Sequence, residues 1–298
     1  MQVFVALLTL AVAAAQPPKF TRTEDVIYGR KNGLAMTMDV FTPDKPNGLG
    51  VVFCVSGGWF SAKEAVNPTF YAPFLARGYT VFAVMHGSQP KYTIPEVLSD
   101  MHRAVRFVRH NAAKYHVDPD RLGICGASAG GHLSLMQGCA SKPGDPKAKD
   151  PVERQSSRVA AVGCFFPPTD FLNYGEEGVV ALGRGVLSGF RPPFEFWERK
   201  PGSNALVIIE DEDRLKAIGK QISPVYHVTK DDAPALIIHG DKDKLVPIQQ
   251  AERIIAALKE AGVPCELVTK AGGDHGWKGI DKDIETIADW FDKHLAKK

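Results

Sequence analysis

A series of short, nearly uninterrupted apolar runs constrains this chain most: residues 50–55, 79–85, the run ending at Cys125, 159–166 and 235–238. Runs of this length and composition fit strands that are buried on both faces. Between them, apolar residues recur at helical spacing. Val97, Met101, Ala104, Val105 and Val108 mark a long amphipathic helix from Glu96 to about Lys114. Ala251, Ile254, Ile255 and Leu258 mark a second, and Ile284, Ile287, Ala288, Phe291 and Leu295 a closing one. Residues 36–41 alternate as a half-buried strand, and 265–268 supply a last one. Strands alternating with helices give an α/β fold, a mostly parallel sheet with helices on both faces. With 298 residues, 44% of them hydrophobic and 23% charged, the chain has room for a full core.

The alternation fails in two places. Residues 1–15 are apolar apart from Gln2 and Thr9 and end in Ala13-Ala14-Ala15, ahead of Gln16-Pro17-Pro18. This reads as a signal peptide, too short for an ordinary membrane span, and makes the protein secreted or periplasmic. The remainder, 16–298, reads as one domain. Within it, residues 167–232 break into short segments rich in Gly, Pro and aromatics, too long for a simple connection and best read as a small cap inserted in the domain. Five cysteines with no C-x-x-C pair argue against a zinc knuckle or a disulfide framework, and most read as core thiols.

The chemistry centres on Gly126-Ala127-Ser128-Ala129-Gly130, between the strand ending at Cys125 and a helix from Gly131 onward. A strained strand-to-helix turn lifts one hydroxyl above the sheet, and small neighbours let the backbone pass close by. The helix start adds free N–H groups where negative charge would develop. A serine nucleophile needs a base and a group that orients the base. His239-Gly240-Asp241-Lys242-Asp243 follows one strand, Gly272-Gly273-Asp274-His275-Gly276-Trp277 the last, and both loops fall at the sheet end where Ser128 emerges. Asp243 is the candidate acid and His275 the candidate base. The backbone N–H of Ala129, with that of Gly57 or Gly58 from Ser56-Gly57-Gly58-Trp59, forms the candidate oxyanion hole.

In these stretches, together with the segment from Ser223-Pro224 to Val246-Pro247, the chain resembles the α/β-hydrolase superfamily. It is most similar there to exported esterases typified by bacterial feruloyl and acetylxylan esterases, with kinship to the prolyl-oligopeptidase catalytic domain. The resemblance spans about residue 34 to 295 and implies the α/β-hydrolase fold, a Ser128–Asp243–His275 triad and a structural role for Asp241. Such esterases usually carry His-Gly-Gly where this chain has Ser56-Gly57-Gly58. It also implies a serine carboxylic-ester hydrolase working through an acyl-enzyme on short-chain, acetyl or feruloyl esters, either small molecules or linked to polysaccharide.

The alternatives are a serine peptidase of the oligopeptidase type and a catalytically inactive binding protein on the same fold. No cofactor is expected, and no metal-ligand spacing is present. A net charge of +2 without long charge runs gives no basic stripe for nucleic acid. His86 reads as a hydrogen-bonding loop residue, His132 as packed behind the site, His239 as a brace for the Asp loop and Asp170 as a helix N-cap.

Overall fold

The computed structural model describes residues 18–296, so the leader read over 1–15 lies outside the described residues. Ten strands and six α-helices follow in order: β1 (Phe20–Lys31), β2 (Leu34–Pro43), β3 (Gly48–Val55), α1 (Ala72–Ala76), β4 (Thr80–Met85), α2 (Ile94–His110), β5 (Val117–Ala127), α3 (Ala129–Cys139), β6 (Ala161–Phe165), β7 (Trp197–Arg199), β8 (Leu206–Ile208), α4 (Glu212–Gln221), β9 (Ala235–Gly240), α5 (Gln249–Glu260), β10 (Cys265–Lys270) and α6 (Ile284–Leu295). Eight strands form one sheet in the order β1-β2-β4-β3-β5-β6-β9-β10. Strand β2 runs antiparallel to both of its neighbours, and every pairing from β4 to β10 is parallel.

Side chains alternate across this sheet into two cores. Val52, Cys54, Ile124 and Cys164 pack with α2, α3 and α5, while Val51, Val55, Cys125 and Phe165 pack with α1 and α6. The parallel strands therefore need apolar residues at successive positions, which is why they read as continuous runs. Helix α2 opens with the capping box between Thr93 and Glu96 and ends at His110, four residues short of the expected end, where a 3-10 turn at Ala112–Tyr115 takes over.

Residues 167–232 contain the β7–β8 hairpin, α4 and several 3-10 turns. Phe171, Tyr174, Phe194, Leu215 and Ile222 of this segment are buried in the same core as α2 and α3, whereas Trp197 stands out into solvent. All five cysteines are free thiols, and Cys54, Cys125 and Cys164 are buried. No helix among the described residues is long and apolar enough to cross a membrane.

Strand β1 has no counterpart in the sequence reading. Its register against β2 shifts between Thr23 and Val26 and again between Ile27 and Gly29, with Asp25 at φ 56°, so the alternation that marks a strand is lost. A polar contact holds it: the Arg22 guanidinium donates to the fully buried Asp39 carboxylate of β2, which also accepts from the Asp25 N–H at 3.0 Å. Arg22→Ala strips a buried carboxylate of its cation, so the unfolding free energy should drop by about 2–3 kcal/mol. Urea denaturation measures this, and a loss under about 0.5 kcal/mol, the scatter of ordinary surface changes, would show that β1 is held some other way.

Burial also depresses the basicity of His86, His102 and His132, each pushed from 6.5 down to about 4. The unfolded chain then binds protons near pH 6.5 that the folded chain refuses until about pH 4, so stability is lost as pH falls across that window. Each histidine contributes up to about 3 kcal/mol. The urea midpoint should fall steadily from pH 6.5 to 4; a flat profile contradicts the neutral, buried state of these rings.

Candidate active site

Ser128 sits between the end of β5 and the first residue of α3, at φ 53° and ψ −119°. A non-glycine residue held there costs of order 1–3 kcal/mol and needs its surroundings to fix it. Its N–H donates to the Phe165 carbonyl at 3.0 Å, and its carbonyl accepts from the His132 N–H at 2.9 Å. The turn closes so tightly that a Cβ on Gly126 would lie 2.6 Å from the Gly130 carbonyl carbon. Helix α3 starts at Ala129, two residues before the expected start, which leaves the Ala129 N–H in the unpaired first turn beside the hydroxyl.

The two later loops are pressed backbone to backbone. A Cβ on Gly240 would meet the Gly273 oxygen at 2.3 Å, so only glycine lets the loop after β9 lie against the loop after β10. Asp241 joins them by accepting from the Gly272 N–H at 2.7 Å, and Asp274 accepts from the Lys244 N–H at 3.1 Å. This seam brings the three candidates together. His275 Nδ1 lies 2.7 Å from Asp243 Oδ2, and its Nε2 lies 2.9 Å from Ser128 Oγ.

Asp243 is 8% exposed, and its Oδ1 accepts from the Leu245 and Val246 N–H groups at 2.9 and 2.8 Å. Burial alone would raise its carboxyl; hydrogen bonds from His239, His275 and the Val246 N–H outweigh that and hold it well below the usual carboxylate range. The group is therefore ionised, an acceptor only, and His275 must present its Nδ1–H to it. The Nε2 lone pair then faces the Ser128 hydroxyl. His239 Nε2 donates to the Val246 carbonyl at 2.8 Å, bracing the loop as expected.

The glycine loop after β3 distinguishes the two oxyanion candidates. Gly57 is paired both ways with Phe60, its N–H donating at 2.9 Å, whereas no acceptor among the described residues faces the Gly58 N–H. Gly58 and Trp59 follow at φ 55° and 59°. The Trp59 ring is buried against Phe171 and Phe194, and its N–H donates to His132 Nδ1 at 3.2 Å; His132 Nε2 donates in turn to the Ile222 carbonyl at 2.6 Å. His132 thus lies behind the site as expected, joining the loop to α3 and to the end of α4.

Two further residues border the site without a sequence signal. The Phe166 ring lies 4.4 Å from that of His275, and the Phe190 ring rests on Gly58, where a Cβ would meet it at 2.5 Å. Both are aromatic residues in aromatic-rich segments, and only the folded chain singles them out. Asp170 differs from the N-cap expectation. It is fully buried, accepts from the Leu172 N–H in a turn that no helix follows, and pairs with Arg253 at 2.9 Å.

The chain is similar to known proteins along most of its length. The probable carboxylic ester hydrolase LipM of Mycobacterium tuberculosis is 28% identical over 241 residues, 79% of this chain and 51% of its own length. Acetylxylan esterase of Xylanibacter ruminicola is 25% identical over 282 residues, 88% of this chain and 49% of its own. The chain spans about half the length of these curated relatives. A solved structure, a truncated form of a carbohydrate esterase from gut microbiota, matches with a TM-score of 0.72 at 26% identity, covering 95% of this chain and 100% of that one. The family model described as BD-FAE matches residues 38–258. That match takes in most of the sheet, the Ser128 turn and the Asp243 loop, and on it the chain belongs to the BD-FAE family, with the α/β-hydrolase fold.

Proposed function

We propose that this chain is a serine carboxylic-ester hydrolase working through an acyl-enzyme, with Ser128, His275 and Asp243 as its triad. The observation that carries the reading is the unbroken line of hydrogen bonds from Ser128 Oγ through His275 to Asp243, 2.9 and 2.7 Å long. His275 Nε2 takes the hydroxyl proton as Ser128 attacks the ester carbonyl, and the ionised Asp243 stabilises the imidazolium that forms. The tetrahedral oxyanion is bound by the N–H groups of Ala129 and Gly58. Between the two candidates on the loop, Gly58 is favoured because the Gly57 N–H already donates to Phe60. His275 returns its proton to the leaving alcohol, and water, deprotonated by the same nitrogen, releases the acid.

Segment 167–232 acts as the cap. Phe190 on Gly58, and Phe171 and Phe194 around Trp59, support this, since they put the segment against the reacting centre. Short acyl, acetyl or feruloyl esters of carbohydrate are the proposed substrate class, of which the acetylxylan esterase relative and the carbohydrate esterase structure support the acetyl and carbohydrate parts. The apolar leader at 1–15 supports export, and N-terminal sequencing of the processed protein should begin at Gln16.

Hydrolysis of nitrophenyl esters from acetate to decanoate, with methyl ferulate and acetylated xylan alongside, tests the reading. Ser128→Ala should lower kcat by about 10⁴-fold or more. Equal rates for the two proteins would remove Ser128 from the reaction, and no hydrolysis by folded wild type would leave a binding protein on a hydrolase fold. Gly58→Ala forces a side chain into the Phe190 ring at a left-handed φ and should cost about 10²–10³ in kcat. Gly57→Ala, which meets nothing within 4 Å, should stay within about tenfold of wild type, less than the loss of one oxyanion donor. The reverse ranking would assign the donor to Gly57.

A further inference from the structure

The loop from Ser56 to Trp59 carries two consecutive left-handed residues, one of them a tryptophan, and such a backbone persists only where neighbours over-determine it. At its far end the determinants are the Trp59 ring and the Gln89 N–H, which donates to the Trp59 carbonyl at 3.2 Å. At its near end the loop leaves β3 through Ser56, and the contact there is a side chain from the neighbouring strand. His86 follows β4, is 4% exposed, and places Nε2 2.7 Å from Ser56 Oγ.

The direction of that bond is fixed by the rest of the ring. His86 Nδ1 lies 2.8 Å from the Gly87 carbonyl, which can only accept, so Nδ1 carries the proton. Nε2 is then a lone pair, and Ser56 is the donor. The ring is buried, and the backbone that carries it is tied down on both sides. The His86 backbone N–H donates to Ser61 Oγ at 3.3 Å, Ser61 Oγ donates to the Val55 carbonyl at 2.6 Å, and the Gly87 N–H donates to Asp100 at 2.9 Å. A buried acceptor therefore points at the hydroxyl one residue before the glycine pair.

Resting on the oxyanion role of the Gly58 N–H, we infer that Ser56 and His86 are a positioning pair that sets the orientation of the Gly57–Gly58 backbone for the transition state. Neither touches the reacting atoms. Without the Ser56 donor the entry to the loop can rotate about its glycines, and the Gly58 N–H turns away from the oxyanion. Because that interaction strengthens as charge develops on the oxygen, its loss falls on turnover and leaves ester binding largely unchanged.

The test is kinetic, on nitrophenyl acetate, with wild type, Ser56→Ala, Ser56→Thr, His86→Phe, the Ser56→Ala/His86→Phe double variant and Ser128→Ala. Ser56→Ala should lower kcat by about 10–100-fold with KM changed less than about threefold, and weaken a trifluoromethyl ketone inhibitor in proportion to kcat/KM. Ser56→Thr, which keeps the hydroxyl, should restore kcat. The double variant should be no slower than the slower single one, since both remove one bond. Ser56→Ala alone decides the matter if the His86 variants do not fold. A Ser56→Ala enzyme with wild-type kcat, or additive losses in the double variant, beside an inactive Ser128→Ala, overturns the pair alone. Equal rates in wild type and Ser128→Ala overturn the ester-hydrolase reading and the pair with it.

Discussion

The geometry around Ser128 depends on one buried carboxylate. Asp243 sits out of water, where an ionised group is tolerated only if its oxygens are filled. Its own loop supplies two N–H groups to Oδ1, and Oδ2 is left facing His275. That division decides the protonation of the neighbouring ring and which nitrogen meets the serine. The loops must deliver these groups to within about 0.5 Å to be useful, and the sheet does this by ending β5, β9 and β10 at the same edge. The closeness of the last two loops then rests on bare backbone at Gly240 and Gly273.

The other histidines near this edge are treated in the opposite way. His86 and His132 are each neutral, and each has a backbone carbonyl that fixes the protonated nitrogen, leaving the other nitrogen as an acceptor. One acceptor receives Ser56 and the other Trp59, at the two ends of a single loop. Protonating His132 would place two donors face to face, since the Trp59 N–H can only donate, and protonating His86 would force the Ser56 hydroxyl to reverse from donor to acceptor. Deep burial prevents both, and the same burial makes the fold acid-sensitive. His275 has 21% of its side chain exposed and a carboxylate instead of a carbonyl at Nδ1. A carboxylate faces His275 where a carbonyl faces each of the other two rings.

Much of this was legible in the amino-acid sequence. The apolar runs fell on β3, β4, β6 and β9 because strands buried on both faces have no polar side to show, and the order Ser128, Asp243, His275 could be read because each residue follows a strand. Strand β1 escaped because its bulges destroy the period of two on which such reading depends. The start of β5 was hidden as well, because its first residues include Asp118-Pro119-Asp120, where pairing jumps from Gly48–Val117 to Gly50–Leu122. The choice between Gly57 and Gly58 was beyond the sequence, since it turns on which N–H is already spent on Phe60. Ser56 showed only as a departure from the family's usual histidine, and its partner lies 30 residues away.

The least regular part of the chain is also the part that touches the loop most closely. Phe190 rests on Gly58, Phe171 and Phe194 enclose Trp59, and the Ile222 carbonyl holds the histidine that holds Trp59. Segments of this kind shape the space available to a substrate, and here the same residues constrain a strained backbone next to the serine. The two duties cannot be varied independently. Trimming Phe190 or Phe194 therefore removes support from Gly58 or Trp59. Under the proposed ester-hydrolase reading, a change of acyl specificity made in this segment would also alter the loop that carries the Gly58 N–H, and would need that loop's support restored from another side.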